Sequence, residues 1–458
     1  MTTDFGRRRF LRLGSRTLAG AGLALGASPA LTLARAADGE LGDGGGADYR
    51  ALVCVYLEGG CDGFSLIVPT DAAEHGVYAR SRGHLALDRG ALLALSGGAP
   101  VGLHPSAAAL APLYDAGRLA MIANVGNLVE PTTREQYENR SVRLPAQLFS
   151  HSDQAIQWQQ LQGADRARDG WGALTAETLL REHVQREHLT SISLAGSNYW
   201  QAGEGRRPFS LKETGVIGYN GMDGSSAWQR PRLESFRRVL EHERRHVLAA
   251  AYAELQRRAL DITTELGAVL EGDARAASVG EPPPENPLAE RLAMVARLIA
   301  VRASLGMRRQ IFYVSMDGFD VHDNQSREQP ELFAQLADAL AFFQGAMDTL
   351  GEADNVTAFT ASDFGRSLAS NGDGTDHGWG NHLLAMGGAV RGGQLYGTLP
   401  RLEIDGPDSV RNGRVLPTLA AAQYAATLLR WIGLDEAQLG TVLPTLANFP
   451  EGDLGFMG

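Results

Sequence analysis

Cysteine is almost absent: the 458 residues include two, Cys54 and Cys61. An extended segment rises about 3.3 Å per residue, which keeps their sulfurs too far apart to bridge unless the chain turns sharply at Gly59-Gly60. No structural disulfide is therefore expected, and Cys54 reads as a small buried core residue. Lysine is scarcer still. Lys212 stands alone, so the basic residues are nearly all arginine, and no arginine cluster is dense enough to suggest phosphate recognition by itself. Net positive charge is lacking as well. A formal charge of -11 argues against nucleic acid as a partner, since a duplex needs a basic face. The apolar run Leu18 to Leu33 is too short and too rich in Ala and Gly for a stable membrane span.

That run belongs to the most specific signal in the chain. Gly6-Arg7-Arg8-Arg9-Phe10-Leu11-Arg12 precedes it and Ala34-Arg35-Ala36 follows it, giving a charged region, an apolar region and an A-x-A cleavage site. Paired arginines before Phe-Leu match a twin-arginine signal, which implies the twin-arginine export machinery as a partner and a periplasmic or extracellular destination. Removing residues 1–36 takes away six Arg and one Asp and leaves a formal charge near -16, which suits a soluble exported protein or one that binds cations. Residues 37–48 form a polar, glycine-rich linker. At 44% hydrophobic, the rest can bury a large core. Residues 49–458 are expected to form a single α/β/α domain with a helical excursion at about 225–305.

Leu52 to Leu57 is a continuous apolar run of β-formers, as expected of a central strand covered on both faces. A helix within 105–117 and a strand at Leu119 to Val125 follow, so a βαβ unit and a mostly parallel sheet are expected. Ser191 to Leu194, Gln310 to Met316, Val356 to Thr360 and Leu383 to Met386 read as further strands. Leu233 to Leu270 reads as one long charged helical region, with His242 and His246 four apart on a solvated face. Glu281 to Pro287 breaks the chain before helix 288–305, and helices are expected at 332–350 and 418–432, the last ended by Gly433. The tail beyond reads as irregular, and Asn198 to Gly205 as a loop whose exposed aromatics face a cleft.

Chemistry gathers where strands stop. The first strand ends in Glu58-Gly59-Gly60-Cys61-Asp62-Gly63-Phe64-Ser65, the 310–316 strand in Asp317-Gly318-Phe319-Asp320-Val321-His322, and the 356–360 strand in Ser362-Asp363-Phe364-Gly365-Arg366. A glycine-rich loop then delivers Asp376, His377 and His382. In a parallel sheet these ends share one edge, where ligands collect. Carboxylates beside neutral imidazoles suit hard or borderline cations, so Asp62, Asp320, His322, Asp363 and His377 are the expected ligands of one or two divalent metal ions. Asp62 alone reads equally well as a turn residue. In Ser150-His151-Ser152-Asp153-Gln154, helix capping accounts for Ser and Asp but not for His151, which with Ser152 is also read as entering an active site. Arg366 reads as an anchor for an anionic substrate oxygen or as a partner of a surface carboxylate, and His382 as a ligand or a core histidine.

The twin-arginine start, GGCDGFSLIVP, SHSDQ, GFDVHDNQ and SDFGRSLASNGDGTDHGWGNH, in that order, resemble the bacterial family known as domain of unknown function 1501, over essentially the whole mature chain. That family is grouped with the alkaline phosphatase and sulfatase superfamily. The resemblance implies a three-layer α/β/α fold with a mostly parallel central sheet and metals at strand ends. It also implies that Asp62 and Asp363 serve one metal while Asp320, His322 and His377 serve another. Two departures stand out. Superfamily phosphatases carry Asp-His where this chain has Asp363-Phe364, and no serine is an unambiguous nucleophile, Ser65, Ser150 and Ser152 being the candidates. The expected function is metal-dependent hydrolysis of a small phosphate or sulfate ester; the alternative is an inactive scaffold that binds a surface polymer or partner.

Overall fold

The computed structural model describes residues 48–163, 169–183, 185–204, 207–216, 226–242 and 246–458. The expected signal segment 1–36 and linker residues 37–47 lie outside them. In chain order come β1 (Arg50–Leu57), α1 (Ala72–Arg82), α2 (Leu110–Asp115), β2 (Leu119–Gly126), α3 (His151–Gln160), α4 (Trp171–Glu182), β3 (Ser191–Ser193) and β4 (Phe209–Lys212). Helices α5 (Gln229–Glu241), α6 (Val247–Gly272) and α7 (Pro287–Ala300) follow, then β5 (Arg309–Met316), α8 (Gln325–Leu350) and β6 (Val356–Ser362). The chain closes with β7 (Arg366–Ser370), β8 (Thr375–His377), β9 (Asn381–Gly387), β10 (Gln394–Tyr396) and α9 (Ala421–Ile432).

A ten-stranded sheet runs in the order β10-β2-β9-β6-β1-β5-β3-β4, with Gly215–Val216 beyond β4 and Leu419–Ala420 beside β2. β1 pairs in parallel with both β5 and β6, and β5 with β3, so the chemically loaded ends of β1, β5 and β6 lie on one edge. β9 departs from the expected parallel direction, pairing antiparallel to β6 and β2. β1 shows why the sheet is covered on both sides. Ala51, Val53, Val55 and Leu57 join one apolar cluster with α7 and α8, while Leu52, Cys54 and Tyr56 join another with α4 and α9. Successive strand residues point to opposite faces, so an unbroken apolar run needs helices above and below, and each buried Val or Leu contributes about 1.5–3 kcal/mol. The result is a three-layer α/β/α sandwich. Tyr49–Gly458 form one compact unit.

Several local expectations change. The long helical region is two helices: extended backbone at His242 and His246 ends α5 and precedes α6, so these histidines do not share one helical turn. The helix within 105–117 is a 3-10 turn at Pro105–Ala107 followed by the short α2. Beyond Gly433, which ends α9 at φ 122°, the tail is not wholly irregular; Asp435 caps a further helix, Glu436–Val442. In the 198–205 loop Tyr199 is exposed, whereas Trp200 is buried against Trp171. Cys54 and Cys61 are both buried and unbridged.

Candidate metal centre

The turn after β1 needs glycine for two reasons. Gly59 and Gly60 sit at φ 104° and 84°, and a Cβ on Gly59 would lie 2.6 Å from the Asp320 amide. The loop after β5 therefore passes close over this turn. β6 ends at Ser362, and the chain then enters the β7–β8 hairpin, in which Arg366 pairs directly with His377. His151 arrives from elsewhere, as the first residue of α3.

These segments bring four donors together. Nε2 of His151, His322 and His377 lie 3.2, 3.0 and 3.3 Å from Asp320 Oδ1. His377 Nε2 is also 2.9 Å from Nε2 of both His151 and His322. Two of the imidazoles are hydrogen-bonded from behind. His377 Nδ1 donates to the Phe149 carbonyl at 2.7 Å, which fixes that tautomer and leaves Nε2 as a lone pair. His151 Nδ1 lies 2.8 Å from Asp363 Oδ2, and His322 Nδ1 lies 3.5 Å from Asp376 Oδ1. Asp320 is braced by Arg366 Nη1 at 2.8 Å.

Electrostatics follow from these contacts. The hydrogen bond to Asp363 raises the His151 pKa, against burial and with help from the Asp363 and Asp320 charges. Burial lowers that of His377. Burial pushes the Asp320 carboxyl up, but the Arg366 hydrogen bond and nearby positive charge outweigh it and hold it below the usual value.

The donor set fits a metal ion. Two imidazole nitrogens and a carboxylate oxygen converge, with ligand atoms of His151, Asp320 and His377 all within 4.8 Å of one another and His322 Nε2 beside two of them. Bonds of about 2.0–2.2 Å to a tetrahedral cation would space such donors by roughly 3.4 Å, close to the separations here. Nδ1 of His151 and of His377 is hydrogen-bonded to an outer partner, the arrangement that orients histidine ligands. Imidazole-rich sets suit transition dications. Bound there, a divalent ion supplies Lewis acidity and lowers the pKa of water.

The structure sorts the expected residues. Asp320, His322 and His377 lie together, and His151 joins them as a donor. Asp363 stands behind His151, accepting also from Tyr56 Oη at 2.6 Å and the Gly59 amide at 3.3 Å. Asp62 is not brought into the cluster: its carboxylate is buried, paired with Arg82, and accepts 2.9 Å bonds from Ser65 Oγ and Gln325 Nε2. Ser65 is thus turned toward Asp62. Ser152 is exposed, 3.3 Å from Ser150, whose hydroxyl donates to Asp153 at 2.8 Å. Arg366 is fully buried, its guanidinium bonded to Asp320, Gly59 O and Thr375. It braces the centre through Asp320. His382 is a core residue: its Nδ1 accepts from the Asn124 amide at 3.1 Å, and its ring meets Phe64 edge-on.

Sequence reasoning missed the partners of Asp62 and the supports of the imidazoles. No local pattern announces that Arg82, in α1, pairs with Asp62. Tyr56 and Phe149 act through a strand-end hydroxyl and a backbone carbonyl, which motifs do not mark. His151 had a signal, since capping left it unexplained.

Residues 49–440 match the family model described as "Protein of unknown function (DUF1501)", and the chain belongs to that family. No curated protein sequence matches it significantly. Among solved structures it is similar to Ps i-CgsB in complex with k-i-k-neocarrahexaose, at 8% identity and a TM-score of 0.36 over 85% of this chain and 74% of that one. It is also similar to PsFucS1 sulfatase from Pseudoalteromonas sp., at 11% identity and TM-score 0.35 over 89% and 70%. A third is the phosphonate monoester hydrolase SpPMH from Silicibacter pomeroyi, at 8% and 0.34 over 84% and 74%. Likeness at this level bears no functional weight.

Proposed function

We propose that the protein is a metal-dependent hydrolase of a phosphate or sulfate ester, with one transition dication held by His151, Asp320 and His377, and with His322 beside them. The convergence of His151 and His377 on the Asp320 carboxylate, each with its Nδ1 hydrogen-bonded, carries this reading. Solvent access supports it, since the side chains of these residues remain 22–45% exposed, leaving the donors open to water and substrate. Three protein ligands leave the fourth position of a tetrahedral ion open, as catalytic sites require. Asp363 keeps His151 in the tautomer whose Nε2 faces the centre, and Arg366 keeps Asp320 Oδ1 aimed at the same point. Hydrolysis adds water across the ester: an oxygen–phosphorus or oxygen–sulfur bond forms, the bridging ester bond breaks, and the leaving alcohol takes a proton. Asp62 and Asp363 are assigned to support, which leaves one metal position instead of two.

The twin-arginine reading of residues 6–36 rests on the sequence and places the mature protein in the periplasm or outside the cell. A non-catalytic scaffold with a structural cation is the second reading. The observation favouring it is that Ser65 is bonded to Asp62, Ser150 to Asp153 and Ser152 to Ser150, so none of the three candidate serines is bonded to the centre and direct attack by water is required of the enzyme.

Elemental analysis of the folded protein beside the double variant His151→Ala, His377→Ala, with hydrolysis of p-nitrophenyl phosphate and sulfate measured on both, tests the proposal. About one transition-metal ion per chain, lost together with activity in the variant, is expected. Metal without turnover of any ester leaves the scaffold; no metal in either protein removes both readings.

A further inference from the structure

Helix α6 carries an apolar stripe that outruns the body it packs on. At about 100° per residue, Leu248, Tyr252, Leu255, Ala259, Ile262 and Leu266 fall within roughly 80° of one another, as one face of a helix requires. At the C-terminal end of the stripe, Leu266 and Leu270 are buried in the core cluster shared with α7 and α8. Further up, Leu255, Ala259 and Ile262 line a cavity of about 630 Å³ together with Ala176 of α4 and Phe209 of β4, so the body falls away beneath them. At the N-terminal end nothing in the described residues covers the stripe: Val247, Leu248 and Tyr252 are 75, 70 and 64% exposed. The helix is not free to roll this face inward, because Ala253 and Leu260, on its other side, pack with Leu233, Phe236 and Leu240 of α5.

Charge indicates what the exposed end meets. Residues 228–258 hold eight Arg and four Glu with no Lys or Asp, a formal +4 inside a chain of -11. Arg230, Arg232 and Arg238 of α5 are exposed, and the Arg232 guanidinium lies 5.4 Å over the ring of exposed Trp228. Single apolar residues scattered over a surface need no explanation, but this is the continuous end of a stripe. A second copy of the chain fits it poorly, since a twofold contact sets one basic segment against the other. An anionic bilayer is complementary on each count: its headgroups attract arginine, its acyl boundary receives an amphipathic helix face, and Trp and Tyr favour that boundary. No helix among the described residues is long and apolar enough to cross a membrane. The stripe fits the surface of one.

We propose that α5 and α6 dock on the surface of an anionic lipid bilayer, with Val247, Leu248 and Tyr252 entering the headgroup boundary and the arginines of 228–258 meeting lipid phosphates. The docking does not rest on the hydrolase reading and needs no metal.

The full chain is sedimented with vesicles of equimolar phosphatidylglycerol and phosphatidylcholine, and with vesicles of phosphatidylcholine alone. Binding is expected to be at least tenfold tighter to the anionic vesicles and to weaken at high salt, which screens exposed charge. The double variant Leu248→Ser, Tyr252→Ser and the triple variant Arg230→Gln, Arg232→Gln, Arg238→Gln are each expected to lose at least tenfold in that binding. All five side chains are exposed, and circular dichroism checks that the variants fold. The apolar run at 18–33 is common to every protein tested, so binding through it would survive both sets of substitutions. The proposal is overturned by equal binding to the two kinds of vesicle or by undiminished binding in either variant. A lipid-free dimer that Leu248→Ser, Tyr252→Ser dissociates would also overturn it and give the stripe to a second copy.

Discussion

His151 Nδ1 and Asp363 Oδ2, 212 positions apart in the chain, lie 2.8 Å from each other. The strand-end aspartate is followed by Phe364, and the imidazole beside it comes from the start of α3. Phe364 packs against that imported ring, 4.7 Å between centroids.

Replacing Asp363 by Asn should keep the donors but loosen His151. Loss of an outer partner typically costs 10–100-fold in metal affinity. Competitive titration with a chromogenic zinc chelator is expected to show that drop in Asp363→Asn with stoichiometry unchanged at saturation. Equal affinity would mean that Asp363 does not orient the ligand.

Asp62→Asn tests the opposite assignment. Arg82 is fully buried, and removing its partner leaves a charge uncompensated in the interior. Denaturant unfolding should register a loss of about 3–5 kcal/mol, with metal content unaltered. A variant that loses metal yet unfolds normally would return Asp62 to the ligand shell.

Gly374 touches no donor atom, yet a Cβ there would lie 2.4 Å from the His322 carbonyl. Gly374→Ala should push the β7–β8 hairpin away from His322, weaken metal binding by at least tenfold and cost about 1–3 kcal/mol of stability. A melting curve and the same chelator titration read both effects; a wild-type result in both would show that the hairpin has room to move.

Acid should destabilise the fold partly through His382 and His104. Burial lowers their pKa values to about 3 and about 4 from a usual 6.5, so both stay neutral when folded. The unfolded chain takes up those protons first. Their contribution is therefore complete above pH about 6.5 and is lost as pH falls toward 4 and then 3, at up to about 1.4 kcal/mol per unit for each group. Unfolding free energies of wild type and His382→Gln, compared from neutral pH to about pH 4.5, should show a shallower pH slope in the variant; parallel slopes would remove His382 from the account.

Much of the layered fold is legible because β1 and β5 are apolar on both faces, a pattern that only a covered sheet accommodates. The direction of β9 is not legible, since a fully buried strand has the same composition whichever way it runs. The break between α5 and α6 is hidden for a similar reason: apolar spacing continues on both sides of it. At the centre, Asp320, His322 and His377 are readable as strand-end and hairpin donors. Asp62 looks like them in sequence and differs only in its neighbour, Arg82. A carboxylate's role is set by which cation reaches it first, and that is decided by tertiary packing.

The four donors come from three separate stretches, with 226 positions between His151 and His377 and 55 between His322 and His377. A cation gripping them is a removable staple that closes long loops of chain and has no counterpart once the chain unfolds. At a thousandfold excess over its dissociation constant, such a ligand adds about 4 kcal/mol to stability. Chelation would then do more than silence a reaction: it would slacken the fold at its working edge and expose the hairpin and the start of α3 to proteases.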